Sequence, residues 1–210
     1  MKYRIEKDSL GEVKVPSTAL WGAQTQRALD NFQISGIKFA FPFGRSFIEA
    51  IGIIKYAAAS SNASLKLLPS SKAKHIKFAA KEIIDGKHDD QFPLDIFQTG
   101  SGTSTNMNAN EVMATIASKK GKTSIHPNDD VNMSQSSNDV IPTAIHISAL
   151  LDIEKLLLPS LKSLINQIKS KELKVKGVVK TGRTHLMDAM PIDMAQELSG
   201  WAAQLSDQYK

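Results

Sequence analysis

With 210 residues, of which 41% are hydrophobic and 22% charged, the chain is long enough to bury a core and has a globular composition. Its net charge of +5 comes mostly from lysines, and Lys72, Lys74, Lys77 and Lys81 are interpreted as a solvated helix face, so nucleic-acid binding is not expected. No cysteine is present, which excludes disulfides and thiolate-bound metal, and no apolar run reaches the roughly 20 residues of a membrane span. We therefore expect a cytoplasmic protein without membrane contact.

The first half of the chain predicts a short hairpin and three helices. Residues 3–15 alternate apolar and polar side chains around Ser9-Leu10-Gly11, which is typical of a hairpin. The helices are expected at Ser46–Leu68, ended by Pro69, then at residues 70–86 with Ser70 as cap and Gly86 as left-handed stop, and at Thr105–Lys120.

The second half predicts longer helices. A polar loop from Lys122 to Ser137 leads into one helix over Asn138–Lys169, capped by Asn138 or Asp139 and kinked at Pro159. Lys176–Met190 is predicted to be irregular or extended, and a last helix, without a stop signal, starts near Pro191. The fold class is therefore mainly α, with a mixed N-terminal domain at residues 1–137 and the first part of a long-helix bundle at residues 138–210.

The stretch Ile96–Val112 combines glycines, hydroxyls and side-chain amides at a predicted helix start. Gly100 and Gly102 allow the backbone to approach a ligand, and Ser101, Thr103 and Ser104 are expected to cap the helix. Free N–H groups and the helix dipole favour a small carboxylate or phosphate there. An ordinary capped surface turn is the alternative.

Two further segments carry polar groups. The run from His126 to Asp139 holds amides and hydroxyls that suit a carboxylate, although a turn with internal Asx hydrogen bonds would look similar. Three of its side chains could bind a metal, but no second cluster completes a coordination sphere, so no metal is expected. In the other segment, Thr181–Pro191, His185 lies beside Thr184 and Asp188 and could donate or accept a proton.

Four segments in order resemble the fumarase/aspartase superfamily and, within it, the class II fumarate hydratases. They are Leu20–Arg27, Thr99–Thr103, His126–Asp139 and Gly182–Leu186. His185 and the sequence around Trp21 are similar to fumarate hydratases, since aspartases typically carry glutamine at the position of His185. The resemblance implies a homotetramer whose active sites are assembled from three subunits around a shared helical bundle.

The resemblance also implies a reaction and a site. The reaction is the reversible hydration of fumarate to L-malate in the tricarboxylic acid cycle, by a hydro-lyase that needs no cofactor. His185 is the implied proton donor or acceptor and works with a bound water. The implied dicarboxylate site consists of Ser101, Gly102, Thr103, Ser136, Ser137, Asn138 and Thr184. The implied accessory anion site consists of His126, Pro127, Asn128 and Asp129.

One element of the family does not occur in these 210 residues. It is the flexible loop Gly-Ser-Ser-x-Met-Pro-x-Lys-x-Asn, which in the family carries the serine thought to act as base. We therefore expect the chain to be the N-terminal part of a fumarate hydratase that is inactive alone. Aspartate ammonia-lyase and a non-catalytic dicarboxylate-binding or assembly fragment remain the alternatives.

Overall fold

The chain begins with a hairpin and a short helix. The structure is a computed structural model, and it describes residues 2–38 and 44–210. Strands β1 (Tyr3–Asp8) and β2 (Gly11–Pro16) pair antiparallel around a turn at residues 9–10, which confirms the predicted hairpin. Helix α1 (Ala23–Asn31) follows, and the sequence patterns do not predict it.

Three packed helices come next, α2 (Arg45–Ser64), α3 (Ser70–Ile84) and α4 (Thr103–Gly121). Helix α2 ends before the predicted Leu68 because the N–H groups of Leu67 and Leu68 turn back to the carbonyl of Asn62. Ser70 is the first residue of α3 and not its cap. Gly86 has φ +74° and follows this helix in the left-handed conformation, as predicted.

Helix α4 supplies much of the core, and twelve of its residues are buried. Val112 and Met113 are fully buried in the cluster that α2 and α3 also build. The buried set includes the polar side chains of Asn106, Asn108 and Glu111. Because buried polar groups need hydrogen-bond partners, these side chains tie α4 to its surroundings.

The carboxylate of Glu111 caps helix α1. It accepts hydrogen bonds from the N–H groups of Gly22 (2.9 Å), Gln24 (2.9 Å) and Thr25 (3.1 Å), and from the Thr25 hydroxyl (2.6 Å). A Cβ at Gly22 would lie only 2.9 Å from Glu111 Oε1, so the close approach requires glycine. Helix α4 thus supplies the hydrogen-bond acceptor for the first N–H groups of α1. A negative charge is also favourable at a helix N-terminus.

The predicted long helix is divided by a π-helical turn. Helix α5 (Ser137–Asp152) continues through this turn (Ile153–Leu157) into α6 (Leu158–Lys174). Pro159 has no N–H to donate to the carbonyl four residues earlier, and the helical pattern changes immediately before it. The disturbance therefore lies where a kink is predicted.

The chain divides into two compact units, Met1–Ala149 and Leu150–Lys210. This division falls inside α5, so a domain boundary at residue 137 stays a prediction. In the second unit, β3 (Val179–Thr184) and β4 (Met187–Asp193) form an antiparallel hairpin. Most of the segment Lys176–Met190, predicted to be irregular or extended, is therefore extended. Helix α7 (Met194–Gln208) starts after Asp193, whose side chain accepts the N–H of Ala195 at 2.8 Å.

Helices α6 and α7 pack against each other in the second unit. None of the helices in residues 2–38 and 44–210 combines the length and the apolar character needed to cross a membrane.

Candidate active site

The glycine- and hydroxyl-rich turn around Gly100 and Gly102 lies immediately before α4. Gly102 has φ +68°, a left-handed conformation that favours glycine. A Cβ added at Gly102 would meet side-chain atoms of Ile141 on α5 at 3.0 to 3.1 Å. Glycine therefore allows the turn to pack directly against the start of α5.

Two residues upstream of the turn cap α4. The N–H of Thr105 donates to Gln98 Oε1 at 2.9 Å, and the N–H of Ser104 donates to Thr99 Oγ1 at 3.2 Å. Gln98 Nε2 in turn donates to the carbonyl of Asp95 at 2.9 Å. The helix start is thus satisfied by a loop that is itself held in place.

Asp95 fixes that loop. Its carboxylate accepts the N–H groups of Ser35 (2.6 Å), Gly36 (2.8 Å) and Phe97 (2.8 Å). Burial raises the pKa of Asp95, but these hydrogen bonds outweigh it and hold the pKa well below the ordinary carboxyl value. An ionised Asp95 therefore joins the loop before α4 to the segment after α1.

The hydroxyls of Ser101 and Thr103 remain outside the cap. Their oxygens lie 2.8 Å apart and both side chains are exposed. The prediction that Ser101, Thr103 and Ser104 cap α4 is therefore wrong, because Gln98 and Thr99 already do so. One of these two hydroxyls donates to the other, and the accepting hydroxyl keeps its hydrogen to donate to an anion.

Ser136, Ser137 and Asn138 surround the start of α5. Ser136 Oγ accepts the N–H of Asn138 at 3.2 Å, so Ser136 takes the capping role predicted for Asn138 or Asp139. Ser137 Oγ accepts a hydrogen bond from Asn106 Nδ2 at 3.0 Å, which joins α5 to the first turn of α4.

Two helix N-termini therefore meet in the first unit, held by the contacts Gly102–Ile141 and Asn106–Ser137. Each N-terminus carries a partial positive charge that favours an anion, and two together suit a ligand with more than one carboxylate. The structure thus brings together six of the seven residues predicted for dicarboxylate binding. Thr184, the seventh, lies in the second unit.

The segment His126–Asn132 contains a π-helical turn, Pro127–Val131. His126 Nδ1 accepts the N–H of Asp129 at 3.0 Å, while the side chains of His126, Asn128 and Asp129 are exposed. The buried Asp130 accepts the N–H of His126 at 2.8 Å and the ammonium of Lys72 at 2.7 Å. Lys72 is therefore an anchor of this turn and does not belong to a solvated face.

An open cavity of about 600 Å³ adjoins the π-helical turn. His126–Asn128 line it together with the end of β1, the start of α1 and one face of α4. Its wall carries both signs of charge, with Lys7 and Lys119 beside Asp8. The accessory anion role of His126, Pro127, Asn128 and Asp129 stays a prediction. Within the described ranges, no three His, Asp or Glu side chains are grouped so as to hold a metal ion.

Thr184 and His185 lie at the tip of the hairpin formed by β3 and β4. His185 and Leu186 form a two-residue turn with φ values of +50° and +61°. Such turns favour Asn-Gly, and a leucine in this conformation is strained. Leu186 is fully exposed, so packing of its side chain does not stabilise the turn.

Asn106 is a supporting residue that the sequence patterns do not identify. It is one of three asparagines at alternate positions of α4, Asn106, Asn108 and Asn110, all of them buried. Because asparagine is rare inside a core helix, this spacing was the available signal. Only the contact with Ser137 shows which of the three faces the candidate site.

Comparisons with known proteins cover nearly the whole chain. The family model for lyases matches residues 11–210. The class II fumarate hydratase of Xylella fastidiosa (strain Temecula1 / ATCC 700964) is 58% identical over 204 residues, which are 97% of this chain and 42% of that protein. The chain thus spans less than half the length of this relative.

Solved structures show the same relationship. The recombinant class II fumarase from Schistosoma mansoni has a TM-score of 0.93 and 41% identity, over 99% of this chain and 44% of that one. A fumarate lyase:delta crystallin from Brucella melitensis, in native form, also has a TM-score of 0.93, with 42% identity over 99% of this chain and 49% of that one.

Proposed function

Because the chain belongs to the lyase family, we propose that the whole protein is a class II fumarate hydratase, which adds water reversibly to fumarate and yields L-malate. The observation that carries the proposal is the meeting of two helix N-termini beside the hydroxyls of Ser101, Thr103 and Ser137. That arrangement offers several donors to a small dicarboxylate. The proposed location is the cytoplasm, with which a chain free of cysteine is compatible.

The proposed chemistry uses these donors to stabilise developing charge. In the dehydration of malate, a proton leaves the carbon next to one carboxylate, and negative charge builds on that carboxylate. Hydroxyl donors and the partial positive charges of the two helix starts stabilise this charge in the transition state. The hydroxyl group on the neighbouring carbon then takes up a proton and leaves as water, which forms the double bond of fumarate.

His185 is proposed as the group that donates or accepts a proton through a bound water, with Thr184 as a substrate contact. Its position at a strained turn supports this role, and the side chain is exposed and therefore accessible to a ligand. The base is proposed to be a serine in a loop of the kind Gly-Ser-Ser-x-Met-Pro-x-Lys-x-Asn. We therefore expect the 210 residues alone to show no turnover.

The assay for this proposal is the conversion of malate into fumarate, followed by the ultraviolet absorbance of the fumarate double bond. The full-length protein is expected to turn over malate and fumarate and to leave aspartate unchanged. Preferential release of ammonia from aspartate would replace the proposal by an ammonia-lyase. Binding of malate without turnover would favour a non-catalytic dicarboxylate-binding protein.

We also propose that the full-length protein is a homotetramer. Large apolar side chains of the second unit are exposed in the single chain, including Leu156 (63%) and Trp201 (51%), and such patches favour burial against other chains. Sedimentation equilibrium is expected to give four times the mass of one chain, and Leu156→Glu is expected to lower it. Leu10→Glu, at a leucine of the first hairpin that is even more exposed (78%), is the matched control. If Leu156→Glu still forms tetramers, the exposed apolar side chain of Leu156 has no role in assembly.

A further inference from the structure

Lys55 is a buried cation that the proposed reaction does not use. It lies in the middle of α2 with no exposed surface, and its ammonium donates to Asn132 Oδ1 at 2.9 Å. In residues 2–38 and 44–210, no carboxylate forms an ion pair with it. Burial lowers the pKa of Lys55 to about 7. A buried lysine without a counter-charge costs stability, so its presence requires another reason.

Hydrogen bonds lead from Lys55 to the candidate dicarboxylate site. Asn132 Oδ1 accepts from Lys55 and also from Asn106 Nδ2, at 3.2 Å. The same Asn106 Nδ2 donates to Ser137 Oγ at 3.0 Å. Four side chains therefore connect the core of α2 to the first residue of α5.

The direction of these hydrogen bonds is set by Lys55. As an ammonium, Nζ can only donate, so Asn132 presents its oxygen to it. The amide of Asn132 is then fixed with Nδ2 towards the carbonyl of Gln135, at 3.2 Å. Asn106 must present its NH₂ group to Asn132, and the same group meets Ser137. Since Ser137 Oγ accepts this bond, its own hydrogen is left to donate to a ligand.

We propose that Lys55 is a positioning residue, which acts through Asn132 and Asn106 to orient the Ser137 hydroxyl as a donor to a substrate carboxylate. The identity of that substrate rests on the proposed function, whereas the hydrogen-bond relay does not. Lys55 touches no substrate and is not a catalytic residue. The site is thus set by a residue more than 80 positions earlier in the chain than the serine that it orients.

A double-mutant cycle in the full-length protein tests the relay. Lys55→Met removes the donor and Ser137→Ala removes the hydroxyl, and each is expected to raise KM for malate roughly tenfold to hundredfold. If Lys55 acts through Ser137, the double variant is expected to lose no more than the larger single loss. Losses that multiply would overturn the proposal. Lys74→Met, at an exposed lysine of α3, is the matched control and is expected to leave KM unchanged.

A second readout does not depend on turnover. In NMR spectra, Lys55→Met is expected to shift the side-chain amide signals of Asn106 and Asn132 and to speed their hydrogen exchange at least tenfold, whereas Lys74→Met leaves both unchanged. Unchanged Asn106 and Asn132 signals would refute the relay. If these signals change in a full-length protein that does not turn over malate, the hydrogen-bond relay is supported and the proposed function is rejected. If Lys55→Met does not fold, Asn106→Ala must show the same coupling to Ser137→Ala.

Discussion

Replacing His185 with asparagine is expected to lower kcat for malate dehydration by a factor of about 10²–10⁴ in the full-length protein. An amide cannot take up and release the proton that the imidazole is proposed to transfer. Asparagine tolerates the left-handed conformation of His185 (φ +50°), so the hairpin turn is expected to survive the change. Steady-state rates, followed by fumarate absorbance, separate kcat from KM.

The neighbouring position provides a matched control for that variant. Leu186 lies in the same turn with φ +61°, and Leu186→Asn introduces the same side chain without removing the imidazole. We expect its kcat to stay within about threefold of the unchanged protein, as surface substitutions usually have small effects. An equally large loss in both variants would mean that the shape of the turn, and not the imidazole, supports turnover.

Glu111→Gln is expected to lower the free energy of unfolding by about 2–4 kcal/mol, since hydrogen bonds to buried charged groups are strong and an unpaired buried donor is costly. The carboxylate accepts from Gly22, Gln24 and Thr25, and glutamine would turn an NH₂ group towards one of these donors. For a chain of this size, the midpoint of thermal unfolding falls by roughly 5–15 °C, measured by circular dichroism.

Glu12→Gln is the corresponding control because Glu12 is an exposed carboxylate in the same unit, on strand β2. It removes the same charge from the protein without touching the start of α1. We expect a change below about 0.5 kcal/mol for this variant. Equal effects of the two substitutions would show that net charge, and not the cap of α1, explains the loss.

Most helices could be predicted because local signals mark their ends. Pro69 precedes α3, and Gly86, in the left-handed conformation, follows it. The alternation of residues 3–15 likewise gave the first hairpin. These signals act between residues close in sequence, so a single chain is enough to read them.

The features that could not be predicted depend on which of several capable polar groups the folded chain brings into contact. Helix α1 has no local cap because Glu111 supplies it. The start of α4 carried several hydroxyls that suit a cap, yet Gln98 and Thr99 take that role. Local patterns show which groups are able to form a bond, whereas packing decides which of them do so.

In the candidate site, too, some residues could be predicted from local sequence and others could not. The glycine- and hydroxyl-rich turn was recognisable because a loop that opens a helix is a local feature. Lys55 was not, since a lysine in a helix is usually solvated and only its burial against Asn132 distinguishes it. Resemblance to a family identifies the residues that contact the ligand more readily than those that position them.

The cap of α1 by Glu111 has a consequence for the order of folding. Helix α1 has nine residues, which is too short for stability in isolation, and the partner of its first turn lies 86 to 89 positions away. Closing a loop of that length costs entropy before any contact is gained, so nonlocal contacts of this kind form slowly. Helix α1 leaves the ribosome before α4 does, and we expect it to become ordered only after α4 has been synthesised.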